Sequence, residues 1–139
     1  MTRIEQARYI LHMIETYDTK NTEVLDEIDA RWWLVAEGYI NAPHNAFWHK
    51  DVNVNTRFIC QGNLAPKYTR RRDALKAIRL DGWVVNLVLN FNDNESFFAV
   101  YNWFGDNVSK QIDSPKLPTE ELAELHAIIQ TYIYTWENE

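Results

Sequence analysis

Apolar and polar residues alternate most regularly between Lys67 and Phe104, KYTRRRDALKAIRLDGWVVNLVLNFNDNESFFAVYNWF. Ala74, Leu75, Ile78 and Leu80 recur at spacings of three and four, which predicts a helix with one apolar face. Thr69 is placed to cap its start, because a hydroxyl accepts one of the free N–H groups of a first turn. Gly82 is placed to stop it, since glycine enters left-handed backbone without steric cost. Beyond it Trp83, Val85, Leu87, Leu89 and Phe91 alternate with Val84, Asn86, Val88 and Asn90, the period of a strand. Asn92-Asp93-Asn94-Glu95 is turn chemistry. Phe97, Ala99, Tyr101 and Trp103 then alternate again, so the pair predicts an antiparallel hairpin.

The flanks are more helical. Thr2-x-x-Glu5 is a capping box, followed by an apolar stripe of Ile4, Ala7, Leu11 and Ile14 with Ile10 beside it. After a polar break at 17–21, a second helix starts at Asn21 or Thr22, carries Leu25, Ile28, Trp32 and Val35 on one face, and stops at Gly38. From Tyr39 to Pro66 the pattern weakens, and only Ala46-Phe47-Trp48 and Arg57 to Cys60 read as extended. Past the hairpin, 105–107 is a turn, Val108 to Ile112 is a candidate third strand and Ser114 to Pro118 is a linker. Thr119 caps a last helix with Leu122, Leu125, Ile129, Tyr132, Ile133 and Trp136 on its apolar face. This order predicts an α+β fold in one domain spanning 1–139. Its antiparallel sheet of three to five strands would be packed between helices, an αβα sandwich with helical N- and C-termini.

Composition changes the picture little. The 139 residues suffice for a core, and six Trp divide between core filling and an interface. The one cysteine, Cys60, forms no internal disulfide and suits a reducing cytosol, and it reads as a buried small side chain. No signal peptide and no apolar run of membrane-spanning length is visible, so a cytoplasmic, membrane-free protein is expected. His44, His49 and Asp51 have metal-ligand chemistry, but their spacing matches no zinc signature, and they read as loop residues. The acidic residues Glu23, Asp26, Glu27 and Asp29 of the second helix read as a solvated face. No metal and no cofactor is expected, and no catalytic motif is present.

Three segments resemble the phage ABA-sandwich domain: 21–28 (NTEVLDEI), Tyr68-Thr69-x3-Asp73-Ala74-Leu75 and Asp81-Gly82-Trp83. The resemblance runs in matching order over roughly residues 21 to 133. It implies an αβα sandwich and a phage source, places the protein in the cytoplasm of a host cell, and carries no catalytic residues.

Charge supplies the remaining clue. Against a total of −6, the residues Lys67, Arg70, Arg71, Arg72, Lys76 and Arg79 crowd one helix, with only Asp73 opposing. One reading is a solvated face with local ion pairs. The other is a ligand site of Lys67, Tyr68, Arg70, Arg71, Arg72 and Lys76. There a helix start and arginine forks would hold an anion, and Tyr68 would stack on a base. Extended duplex nucleic acid is disfavoured by the surrounding acidity. Two function classes follow. The first is a non-enzymatic phage protein that binds a host defence protein, or a phosphorylated signalling nucleotide, to counteract anti-phage defence. The second is a small enzyme acting on a nucleotide-like molecule, with His44, His49 and Asp51 as its candidates. The apolar last helix also suggests a homodimer.

Overall fold

The computed structural model describes residues 2–41, 47–49, 53–55, 65–89, 97–104 and 109–139, with side chains placed over 2–39, 65–84 and 110–139. The chain divides into two compact units, Met1–Lys67 and Tyr68–Glu139.

The first unit is built on two helices that pack together, α1 (Arg3–Thr16) and α2 (Thr22–Ala36). Both begin where a short polar side chain can accept a backbone N–H. The Thr2 hydroxyl accepts from Glu5 at 3.2 Å, and Asn21 Oδ1 accepts from Glu23 at 2.9 Å. The buried face of α1 is Gln6, Ala7, Ile10, Met13 and Ile14. It is rotated from the expected stripe, because Met13 goes fully inside while Ile4 and Leu11 stay half-buried. The acidic face of α2 is not simply solvated. Asp29 is buried, Glu27 pairs with Arg31 at 3.0 Å, and Asp26 pairs with Lys67 at 3.2 Å. Three short strands follow, β1 (Ile40–Asn41), β2 (Phe47–His49) and β3 (Asn53–Asn55), paired antiparallel in that order. The expected extended run at 57–60 lies outside the described residues.

The end of α2 is a Schellman turn. Tyr39 N–H reaches the Leu34 carbonyl at 2.8 Å and Gly38 N–H reaches that of Val35 at 3.1 Å, while the Tyr39 ring stacks on Trp33. Gly38 holds φ at +92°, and a side chain there would meet no neighbour within 4 Å. Backbone conformation, not space, is therefore what selects glycine.

The second unit contains α3 (Arg72–Ile78), the strands β4 (Trp83–Leu89), β5 (Phe97–Phe104) and β6 (Ser109–Asp113), and α4 (Glu120–Glu137). The β4 backbone pairs antiparallel with β5, Trp83 facing Trp103 and Leu89 facing Phe97, and β5 pairs antiparallel with β6. The expected turns at 92–95 and 105–107 lie outside the described residues. Thr119 caps α4, its hydroxyl accepting from Leu122 N–H at 3.2 Å. Every side chain from Leu122 to Ile129 is buried, so α4 is enclosed on all sides over two turns. Its polar members Glu124 and His126 are inside as well.

The α+β sandwich expected from the pattern is not what forms. Among the residues with described side chains, 61% are helical and 8% extended, the extended ones being 83–84, 110–113 and the single bridge residue Leu117. Among the described residues, backbone ladders occur as two separate sets, one in each unit, instead of one sheet covered by helices. A sandwich needs both sheet faces apolar and covered. Here α4 lies against the β4–β5–β6 strands, while Val84 is 55% exposed and Gln111 and Asp113 are exposed too. The strand period was legible, but it does not reveal what covers each face.

Two local expectations also change. Thr69 is buried in a turn and does not cap α3, whose N-cap is Arg71 with no side-chain hydrogen bond. Gly82 does not stop α3, which ends at Ile78; at φ +91° it turns the chain into β4.

Replacing Gly38 by alanine forces a Cβ into left-handed backbone and should lower stability by about 1 kcal/mol. Urea unfolding measures this directly, and a variant as stable as the parent would mean that the turn relaxes at no cost.

Candidate functional site

The basic residues that crowd together in the sequence are separated by the fold. Lys67 belongs to the first unit, where its ammonium is 3.2 Å from Asp26 Oδ1. Tyr68 is only 3% exposed, so its ring offers no open face for a base. Arg70 is half-buried in the turn that precedes α3. Arg79 points inward from the end of α3, its Nε donating to Glu124 Oε1 at 2.7 Å and its Nη2 to the same oxygen. A fully enclosed carboxylate requires such a partner, since an unpaired buried charge is costly.

What remains at the surface is Arg71, Arg72 and Lys76. Arg71 grips Asp73 with both arms of its fork, Nε to Oδ1 at 3.1 Å and Nη2 to Oδ2 at 2.9 Å. Arg72 reaches Glu120 on α4 at 2.9 Å. Lys76 is exposed, with no ion pair among the described residues. Both arginine pairs lie in solvent: the side chains are 64% and 70% exposed for Arg71 and Asp73, and 46% and 41% for Arg72 and Glu120. Ion pairs this exposed contribute little. An incoming carboxylate or phosphate can exchange for Asp73 or Glu120 at small cost. The seven-residue α3 is too short for its macrodipole to add much.

The hydrogen bond from Arg71 is the main reason that the Asp73 carboxyl lies below the ordinary aspartate range, with the guanidinium charge adding to it. The depression means that the pair is intact above the unfolded-state value and is lost as pH falls through the folded-state value.

The side chains of His44, His49, Asp51 and Cys60 lie outside the described residues. Among the described residues no group of three His, Cys, Asp or Glu side chains could hold a metal ion, and no helix is long and apolar enough to cross a membrane. His12 is exposed on α1. His126 is enclosed in α4, its Nδ1 receiving a hydrogen bond from Gln130 Nε2 at 2.9 Å, while that same nitrogen donates to the Asp113 carbonyl at 2.9 Å. Sequence reading missed the acidic partners Asp26, Glu120 and Glu124. Each is remote in the chain from its cation, and no local spacing signals the pairing.

Carbon-detected NMR titration should find Asp73 titrating below an unperturbed aspartate, and Arg71→Gln should return it to the ordinary range. An unchanged titration in that variant would show that the Arg71 fork is not the cause.

No protein-family model matches the chain, and neither the curated proteins nor the solved structures contain a significantly similar one.

Proposed function

We propose that this chain is a small, non-catalytic phage protein that binds an acidic surface of a host defence protein through Arg71, Arg72 and Lys76. One observation carries the reading. Two arginines at the start of one short helix and a lysine in its last turn stand exposed, the arginines held by carboxylates that are themselves exposed and exchangeable. Arginine suits this exchange because its planar fork takes a carboxylate in two parallel hydrogen bonds. A protein partner is favoured over a nucleotide because the ring that would have stacked on a base, Tyr68, is buried. The phage setting and the counter-defence role rest on the three short segments that resemble the phage domain.

The test is a pull-down from host extract with the wild-type protein and with Arg71→Ala/Arg72→Ala/Lys76→Ala, paired with an infection assay. The wild type should retain a host protein that raised salt releases. The triple variant should keep its circular dichroism, lose retention roughly tenfold, and lose its benefit to the phage. Equal retention and equal infection by both proteins would overturn the proposal.

A further inference from the structure

A cavity of about 640 Å³ opens at the opposite end of α4 from Glu120, between the last turn of that helix and the turn that leads into β4. It shares no residue with the basic segment. Leu80 and Asp81 come from the turn, Trp83 from the first position of β4, and Tyr134, Asn138 and Glu139 from the end of α4. The volume falls within the range of small-molecule sites, about 300–1,000 Å³.

Among the described lining residues the charged side chains are both acidic. The C-terminal end of a helix carries a partial negative charge, which a basic residue in the last turn usually complements; α4 has none there. Its cap is neutral, Asn138 folding back to donate through Nδ2 to the Tyr134 carbonyl at 2.8 Å. Asp81 and Glu139 add two carboxylates to the walls. The aromatic wall is Trp83 and Tyr134, whose rings meet edge to face at 6.1 Å and 90°. Ring faces carry the negative end of the aromatic quadrupole and attract cations. The Tyr134 face already does so within the chain, with Lys110 Nζ 5.6 Å from its centroid. Lys110 is not among the described lining residues, whose charged side chains are Asp81 and Glu139. An anion is therefore repelled, whereas an ammonium group finds both carboxylates and ring faces, and its carbon chain finds Leu80.

We propose that this cavity is a binding site for a small organic cation, a free primary or quaternary ammonium compound. The site is independent of the surface that engages the host protein, so the two proposals fail separately.

The experiment is a calorimetric titration of the full chain with choline, with putrescine and with 3,3-dimethyl-1-butanol, the uncharged carbon analogue of choline. The Trp83 indole N–H resonance is followed in parallel. Choline or putrescine should bind saturably in the millimolar range or tighter and shift that resonance, while the neutral analogue binds at least about fivefold more weakly. Asp81→Asn, at an exposed position where folding is not at stake, should weaken binding about fivefold, and Tyr134→Leu should do the same. The Arg71→Ala/Arg72→Ala/Lys76→Ala variant should bind as the parent does. Equal affinity for choline and its neutral analogue, undiminished binding by Asp81→Asn, or no binding of either cation at about 20 mM would each overturn the proposal.

Discussion

Burial of the Glu124 carboxylate is the constraint on which the second unit depends. An ion placed wholly out of water survives only if its partner is fixed in place, and the Arg79 guanidinium supplies that partner through two donors on one oxygen. Arg79 closes α3, so meeting the carboxylate fixes where α3 ends and which way that end faces α4. A second tether, Tyr132 O–H to the Ile78 carbonyl at 2.8 Å, holds the same junction one residue earlier. Arg72 to Glu120 holds the start of α3 to the start of α4. With α3 docked along it and the strands packed against it, α4 is enclosed over 122–129. The exposed start of α3 lies at one end of α4 and the Trp83–Tyr134 cavity at the other.

Local chemistry was readable in the chain, and pairing across the chain was not. The caps Thr2, Asn21 and Thr119 act on N–H groups two or three residues away, so their spacing alone announces them. Gly38 was readable for the same reason, its turn being closed by bonds within six residues. Thr69 misled because a good capping residue in front of a periodic run says nothing about burial; the fold takes Tyr68 and Thr69 inside and starts the helix at Arg72. The sandwich misled more seriously. Alternation identified strand-like backbone, but whether a second layer covers Val84, Gln111 and Asp113 is decided by tertiary packing, and they are exposed. Glu124 shows the converse, since a charged residue can go inside once a distant partner is found.

The basic segment shows the same division. Its charge was plain in the sequence, and so was the competing reading of local ion pairs, which the Arg71–Asp73 fork exemplifies. The inward turn of Arg79 and the diversion of Lys67 to Asp26 depend on partners 45 and 41 residues away. The acidic, aromatic cavity had no sequence signature at all. Trp83 read as the start of a strand, and only the fold brings it against Tyr134.

A double-mutant cycle on Arg79 and Glu124, read by denaturant unfolding, tests the central claim most directly. Arg79→Met alone should cost roughly 3 kcal/mol, because it leaves the enclosed carboxylate without its main partner, and Glu124→Leu should recover much of that loss in the double variant. Two small and additive effects would contradict the account, for they would mean that α3 and α4 associate without the buried ion pair.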